Sequence, residues 1–377
     1  MATFTKRETA KGKVRWLVRV FLGRDSDTGK QKFTSKTFDT KRGAESWARS
    51  KETQIDEGTF IEPTKMTLDG FLDDWLEVVR QRVRHTTFND YEGLLRNHVR
   101  PVLGRKLLQK ITPLMVQKVY TEMLEKNLSP RTVRYVHSVL HNALTSALQW
   151  GYISRNPCSN VDLPSQRQRT RSMRVLNAEQ VKAFLEVASG DRWHAFFMLM
   201  LTTGMRPSEA LGLRWEDLDL DGGQATVRQV VVGPDGDRRI EAPKTPQARR
   251  TIPLLPQTVQ AIRERRRDQA EERLAAGPEW NDTGLIFTSA AGESVQYRNL
   301  VRRHFEPLLE QADLPHMRLY DLRHTHATLL LQQSVHPKVA SERLGHASVS
   351  LTLDTYSHVL PSMQDQVQEK LAEILKY

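Results

Sequence analysis

The chain has 377 residues, with 56 Lys and Arg against 45 Asp and Glu and a net charge of +11; that length suffices for two or three domains with cores of their own. A single cysteine, Cys158, excludes an intrachain disulfide and fits a reducing compartment. No apolar run approaches the ~20 residues of a membrane-spanning helix and the N-terminus lacks the apolar stretch of a signal peptide, so a soluble, intracellular protein is expected.

The charge excess is local. Residues 1–60 hold 14 basic and 8 acidic side chains, residues 61–170 hold 16 and 10, and residues 171–377 hold 26 and 27. Two basic modules therefore precede a nearly neutral one, and such modules suit a polyanion, nucleic acid foremost. In the first module Val14, Trp16, Val18, Val20 and Leu22 alternate as one face of a strand. A turn at Gly23–Gly29, a basic strand over Lys30–Phe38 and a helix after Thr40 burying Ala44, Trp47, Ala48 and Ile55 follow. Trp16, Phe33, Phe38 and Trp47 would make most of its small core. Arg15, Arg19, Lys32 and Lys36 would lie on the strands, either as a solvated face or as a reader of nucleic acid; the charge bias favours the reader.

From residue 66 to about 160 the pattern is helical throughout. Leu68, Phe71, Leu72, Trp75, Leu76 and Val79 form a stripe after Thr67, and Tyr91, Leu94 and Leu95 another after Thr86-Thr87. A third helix is predicted from Thr112-Pro113 and a fourth from Ser129-Pro130, with proline at the first helical position. Arg80, Arg82, Arg84, His85, Arg131 and Arg134 sit at helix ends, where each is either a solvated charge or a phosphate contact. Residues 164–174 are basic without apolar period and read as a linker. The predicted domains are thus 1–62, 63–163 and 175–377. The last is mixed α/β: an apolar helix through Trp193, Phe196, Phe197, Met200 and Leu201 ending at Thr203-Gly204, short strands over 224–254 around a turn at Gly233–Gly236, a charged helix from about Gln257, a short strand at Leu285-Ile286-Phe287 and a largely helical remainder.

Five residues of this last domain suit phosphodiester chemistry. Arg206 stands in Thr203-Gly204-Met205-Arg206-Pro207-Ser208-Glu209, Lys244 in Ala242-Pro243-Lys244-Thr245-Pro246, Arg323 in Tyr320-Asp321-Leu322-Arg323-His324-Thr325, His346 in Leu344-Gly345-His346, and Tyr356 in Thr355-Tyr356-Ser357-His358. Cations can hold a phosphate and a hydroxyl can attack it. Taken singly each has a plainer reading: a surface ion pair to Glu209, a turn lysine, a helix-end cap, a core aromatic. Together, in this order, they resemble the tyrosine recombinase or phage-type integrase family, whose mechanism is shared with type IB topoisomerases, and the resemblance covers the whole chain.

The resemblance implies a multidomain α+β protein: a small N-terminal sheet plus helix that binds arm-type DNA, an all-α core-binding domain, and a mainly α catalytic domain of the DNA breaking-rejoining type. It implies that Arg206 and Arg323 grip the scissile phosphate, that Tyr356 attacks phosphorus to give a 3′-phosphotyrosyl link and a free 5′-hydroxyl, that Lys244 protonates the leaving oxygen, and that His346 donates a hydrogen bond. Glu209 would orient and buffer the site. No cofactor is implied, neither metal nor ATP. His324 and His326 form a His-X-His pair, but positions two apart on a helix diverge, which argues against a metal site. Tyr320 departs from the family, where histidine is usual three residues before Arg323; a phenol with its ordinary pKa near ~10 can donate a hydrogen bond but is a poor base at neutral pH. The implied partners are double-stranded DNA at core-type and arm-type sites, four protomers on two duplexes, and accessory bending or directionality proteins, in a bacterial cytoplasm at the nucleoid. An amphipathic tail helix over Ser362–Tyr377, with Val367, Leu371, Ile374 and Leu375 in register, would dock on its own domain or on a neighbour. The expected activity is integration and excision of a mobile element. A dimer-resolving recombinase, a DNA-binding regulator with a retired site and a monomeric topoisomerase are the alternatives.

Overall fold

The computed structural model describes residues 2–8, 13–24, 28–57, 60–165, 173–233, 238–356 and 374–375. The chain divides into two compact units, Met1–Arg169 and Thr170–Tyr377.

The first unit begins with an antiparallel sheet, β1 (Ala2–Glu8), β2 (Val14–Arg24) and β3 (Gln31–Phe38), with β2 central. Helix α1 (Lys41–Asp56) starts at Thr40, whose hydroxyl accepts from the Gly43 amide. It covers one sheet face, burying Val18, Val20, Ala44 and Ala48, with Trp16, Phe38, Trp47 and Ile55 packed around them. One strand was missed and two expectations need correction. β1 had no signal because its residues are polar and exposed, as befits an edge strand. Val14, at the end of the alternating run, is 38% exposed. Phe33 is not core: it pairs in register with Phe21, directly cross-strand residues share a face, and that face is opposite to Val18 and Val20. There the two rings meet edge to face at 5.5 Å with the Arg19 guanidinium 4.9 Å above Phe33.

The rest of this unit is a helical bundle: α2 (Leu68–Arg80), α3 (His85–Leu94), α4 (Arg100–Leu103), α5 (Pro113–Glu125) and α6 (Pro130–Gln149). Thr67, Thr112 and Ser129 each accept a backbone N–H of the first turn, as expected. Helix α3 instead starts at His85, ahead of Thr86-Thr87, from an extended Arg84 that makes no side-chain cap, and continues through a π turn over Leu95–Val99. The stripes of α2 and α6 meet in one core, where Trp75 stacks on Tyr91 and donates its indole N–H to Ser146.

The second unit places α7 (Ala178–Ala188), α8 (His194–Thr203) and α9 (Pro207–Leu211) before a three-stranded antiparallel sheet of β4 (Leu218–Asp219), β5 (Gln224–Val227) and β8 (Arg250–Pro253). A two-stranded ribbon of β6 (Val230–Val232) and β7 (Arg239–Glu241) lies between β5 and β8 in the chain; residues 234–237, most of its expected turn, lie outside the described residues. Then come α10 (Pro256–Ala276), α11 (Tyr297–Leu300), α12 (Glu306–Gln311), α13 (Asp321–Gln332), α14 (Pro337–Leu344) and α15 (Val349–Tyr356). Helix α8 is apolar nearly all round and fills the centre with Phe196 and Phe197 against Phe184, Phe287 and Phe305. Leu285-Ile286-Phe287 is not a strand: the triplet is buried, but only isolated bridges, Arg214 to Leu285 and Thr288 to Ser294, flank it, since an apolar run signals burial before it signals pairing. A smaller cluster of Ala327, Leu331, Ala340, Leu344 and Tyr356 ties α13, α14 and α15 together. The expected tail helix, Ile374 and Leu375 apart, and linker residues 166–172 lie outside the described residues.

Candidate active site

The site is built on the corner between α8 and α9. Gly204 ends α8 in the left-handed region (φ 67°), and a Cβ there would stand 2.5 Å from the His326 ring, so only glycine fits. Two residues on, Arg206 is extended (φ −70°, ψ 148°) because Pro207 follows it and opens α9. Glu209, one turn along and 1% exposed, caps that helix by accepting the Arg206 amide at 2.9 Å. Its carboxylate also takes the Arg206 guanidinium at 2.6 Å and, from β8, that of Arg250 at 2.9 Å. Burial pushes Glu209 up, but Arg250 and then Arg206 outweigh it, and the carboxyl sits below its ordinary value.

Arg323, in the first turn of α13, is fully buried. Its two terminal nitrogens donate to the carbonyls of Gly204 (2.7 Å) and Leu344 (2.8 Å), joining the α8–α9 corner to the end of α14. Burial, then Arg206, lowers it to about 10, which leaves it cationic at neutral pH. Gly345 follows in the left-handed region (φ 66°) and lies against Arg250, whose Nε donates to the Arg343 carbonyl. His346 comes next, with Nδ1 2.7 Å from Thr352 Oγ1 of α15; burial, with Arg323, Arg206 and Arg250, pulls it down to about 4, so it is neutral at pH 7. Tyr356 is the last residue of α15, 1% exposed, with its hydroxyl 2.7 Å from Nδ1 of His324. Burial raises its pKa further than Arg323 lowers it. Three guanidiniums thus gather round one carboxylate beside a protonated phenol and a neutral imidazole. That is a positive, partly dry site with room in its charge balance for an anion such as a phosphodiester.

The structure brings together Arg206, Glu209, Arg323, His346 and Tyr356. Lys244 is exposed in the loop between β7 and β8 and forms no hydrogen bond or ion pair with the described residues. Tyr320 precedes α13 and sets its ring against His324 at 5.2 Å, edge to face. His324 and His326 diverge as expected: His326 bonds the Leu201 carbonyl through Nδ1 and faces Arg343 through Nε2. Sequence reasoning missed Arg250 and the part played by His324. The signal for Arg250 was alternation, because Ile252, two residues on in β8, is buried on the same face.

The basic candidates of the first unit do not form one surface. Arg15 and Arg19 share the outer sheet face, Arg15 paired with Asp39 at 3.2 Å. Lys36 is in register with Val18 and so belongs to the opposite face, with its ammonium over Phe38, and Lys32 approaches Glu62 at 3.9 Å. In the bundle Arg82 and Arg131 are exposed, Arg80 lies over Phe88, Arg84 precedes α3, and Arg134 donates to the Pro164 carbonyl.

Residues 174–363 match the model of the phage integrase family, and residues 67–124 match the N-terminal SAM-like domain of phage integrases. A tyrosine recombinase XerC-like protein of Caldanaerobacter subterraneus subsp. tengcongensis is 30% identical over 96% of this chain and 97% of its own. In fold the chain is similar to the Tn1549 transposon integrase in complex with a circular intermediate DNA, with TM-score 0.66 and 23% identity over 81% of this chain and all of that one. It is similar also to lambda integrase in a tetramer bound to a Holliday junction, with TM-score 0.57 and 17% identity over 93% and 94%.

Proposed function

The chain belongs to the phage integrase family, and on that premise we propose that Tyr356, Arg206, Arg323, His346 and Lys244 carry out the family's reaction, site-specific recombination of DNA. The observation that supports this assignment is the cluster of Arg206, Arg250 and Arg323 around the buried Glu209, with Arg323 also bonded to Leu344, which packs in the same small core as the phenol that ends α15. In the cleavage step Tyr356 Oη bonds to phosphorus and the bond to the 5′ oxygen breaks, leaving a 3′-phosphotyrosyl link. Arg206 and Arg323 hold the nonbridging oxygens and stabilise charge in the transition state. A neutral His346 that accepts at Nδ1 from Thr352 carries its proton on Nε2 and can donate it in a hydrogen bond to the phosphate. Lys244, on an exposed loop, can reach the leaving oxygen once DNA is bound. The covalent link conserves the bond energy, so a 5′-hydroxyl from the partner strand religates without ATP.

DNA is the partner. Residues 1–62 would engage arm-type sites and residues 63–163 the core site, and four protomers would assemble on two duplexes. The Tn1549 integrase in complex with a circular intermediate DNA and the lambda integrase tetramer bound to a Holliday junction support that reading. Among the described residues no helix is long and apolar enough to cross a membrane, and with DNA as partner this supports a place in the bacterial cytoplasm, at the nucleoid. Integration and excision of a mobile element is the leading role. Dimer resolution by the same chemistry is the second reading. A plasmid carrying the two attachment sites from the DNA flanking the gene decides: recombinant product in EDTA without ATP is expected. Relaxation of any supercoiled plasmid without recombinants would mark a topoisomerase instead.

A further inference from the structure

We propose that His324 is the base of the cleavage step: its Nδ1 takes the proton of Tyr356 as the phenol oxygen attacks phosphorus. The proposal rests on the reading of Tyr356 as nucleophile. It starts from a gap, since the residue three before Arg323 is Tyr320, a phenol unsuited to accepting a proton at neutral pH. The structure places an imidazole where that function is needed. His324 follows Arg323 directly on α13, and Nδ1 is 2.7 Å from Tyr356 Oη. The ring is held between two phenols, with Tyr356 at 5.7 Å and Tyr320 at 5.2 Å between centroids, both edge to face. Tyr320 is then a positioning residue, which fixes the plane of the base.

The charges around the pair agree with this division. Burial lowers His324, Arg318 and Arg323 add to it, and Asp321 opposes them; His346 faces it as a second, neutral imidazole. The ring is therefore neutral at pH 7 and has a lone pair to offer at Nδ1 when Nε2 carries the hydrogen. Tyr356 is held on the protonated side by burial, by Tyr320 and by Asp321, against the pull of Arg323. Phenolate is scarce at rest, and the hydroxyl must lose its proton as the O–P bond forms, when its acidity rises steeply. The step balances: the Oη–P bond forms and the P–O5′ bond breaks. The Oη proton passes to Nδ1, and the 5′ oxygen takes a proton from Lys244. In religation His324 returns its proton to Oη.

The test is the single-turnover rate of covalent adduct formation by the full chain on a nicked suicide duplex, followed from about pH 5.5 to 9.5, with DNA binding measured by gel shift. His324→Asn keeps a hydrogen-bond acceptor near the position of Nδ1 but no basicity. It is expected to bind normally, to be slowed about 100- to 1000-fold at pH 7, and to gain rate tenfold per pH unit where the wild type has levelled off. A 5′-bridging phosphorothiolate, whose leaving sulfur needs no proton, should rescue Lys244→Ala but not His324→Asn. Should His324→Asn fold poorly, recovery of rate in His324→Ala by added imidazole carries the same expectation. An Asn variant within about threefold of wild type with an unchanged pH profile would overturn the proposal, as would rescue of that variant by the phosphorothiolate. An adduct formed by Tyr356→Phe would instead overturn the underlying choice of nucleophile.

Discussion

Arg206 and Arg323 carry the same charge but stand in different relations to the fold. The Arg206 side chain is 31% exposed and its partner Glu209 is held independently by Arg250, whereas Arg323 is fully buried and satisfies two backbone carbonyls. Arg206→Ala should therefore lose cleavage by several orders of magnitude while stability changes by about 1 kcal/mol or less. Arg323→Ala should lose cleavage and also about 2–5 kcal/mol, because the carbonyls of Gly204 and Leu344 are left unpaired in a dry site. Urea unfolding of the two variants checks this, and equal stabilities would contradict it. The histidines add a pH dependence. His326 and His346 are both pulled from 6.5 to about 4 by burial. Between those values the unfolded chain binds more protons than the folded one, so stability is complete above about pH 6.5 and falls on acidification, by about 1.4 kcal/mol per pH unit per histidine. His326→Gln should remove one histidine's share of that slope, about 1.4 kcal/mol per pH unit near pH 5, read from urea midpoints; an unchanged slope would contradict the burial argument. At this scale the arginines, His346 and Tyr356 were legible from their order in the chain. Arg250 and His324 were not, because one faces Glu209 only after β8 pairs with β5 and the other meets Tyr356 only where α13 packs on α15.

Elements whose ends are written in side-chain chemistry were the easiest to read. Thr40, Thr67, Thr112 and Ser129 each precede an amphipathic run and each caps a helix, because a hydroxyl acceptor satisfies amides that the first turn leaves open. Strands were harder, since their identity lies in a partner. The polar residues of β1 form a strand only because β2 offers them an edge, and Leu285-Ile286-Phe287 forms none because no strand lies alongside. Face assignment failed at Phe33 for the same reason: register with Phe21, not apolarity, decides which side it occupies. A pair of variants tests that register. Val18→Ala, in the sheet–helix core, should cost about 1–3 kcal/mol, whereas Phe33→Ala, on the open face, should cost less than about 1 kcal/mol. Thermal unfolding distinguishes them, and a larger loss at Phe33 would put the wrong face against α1.

At the scale of the whole molecule the uneven charge was legible from composition, and its use is open to direct test. Residues 1–60 carry 14 of the 56 basic side chains, balanced by only 8 acidic ones. A chain starting near residue 65 should still form adducts on core-type DNA, while recombination of full attachment sites falls. The dependence of its affinity on salt should be shallower, since fewer counterions are released. Unchanged recombination and an unchanged salt slope would contradict a separate arm-binding role. What composition could not supply is the way distant segments converge: Gly204, Arg250, Arg323 and Leu344 are bonded to one network although they span 141 positions of sequence. The central claim is that the hydroxyl at the end of α15 becomes the covalent link to DNA. The most direct measurement is peptide mapping of the adduct trapped on a nicked suicide duplex. A single phosphotyrosyl linkage at Tyr356, absent from Tyr356→Phe although that variant still binds the site, is the expected result. A linkage at any other residue, or an adduct of undiminished yield from Tyr356→Phe, would contradict it.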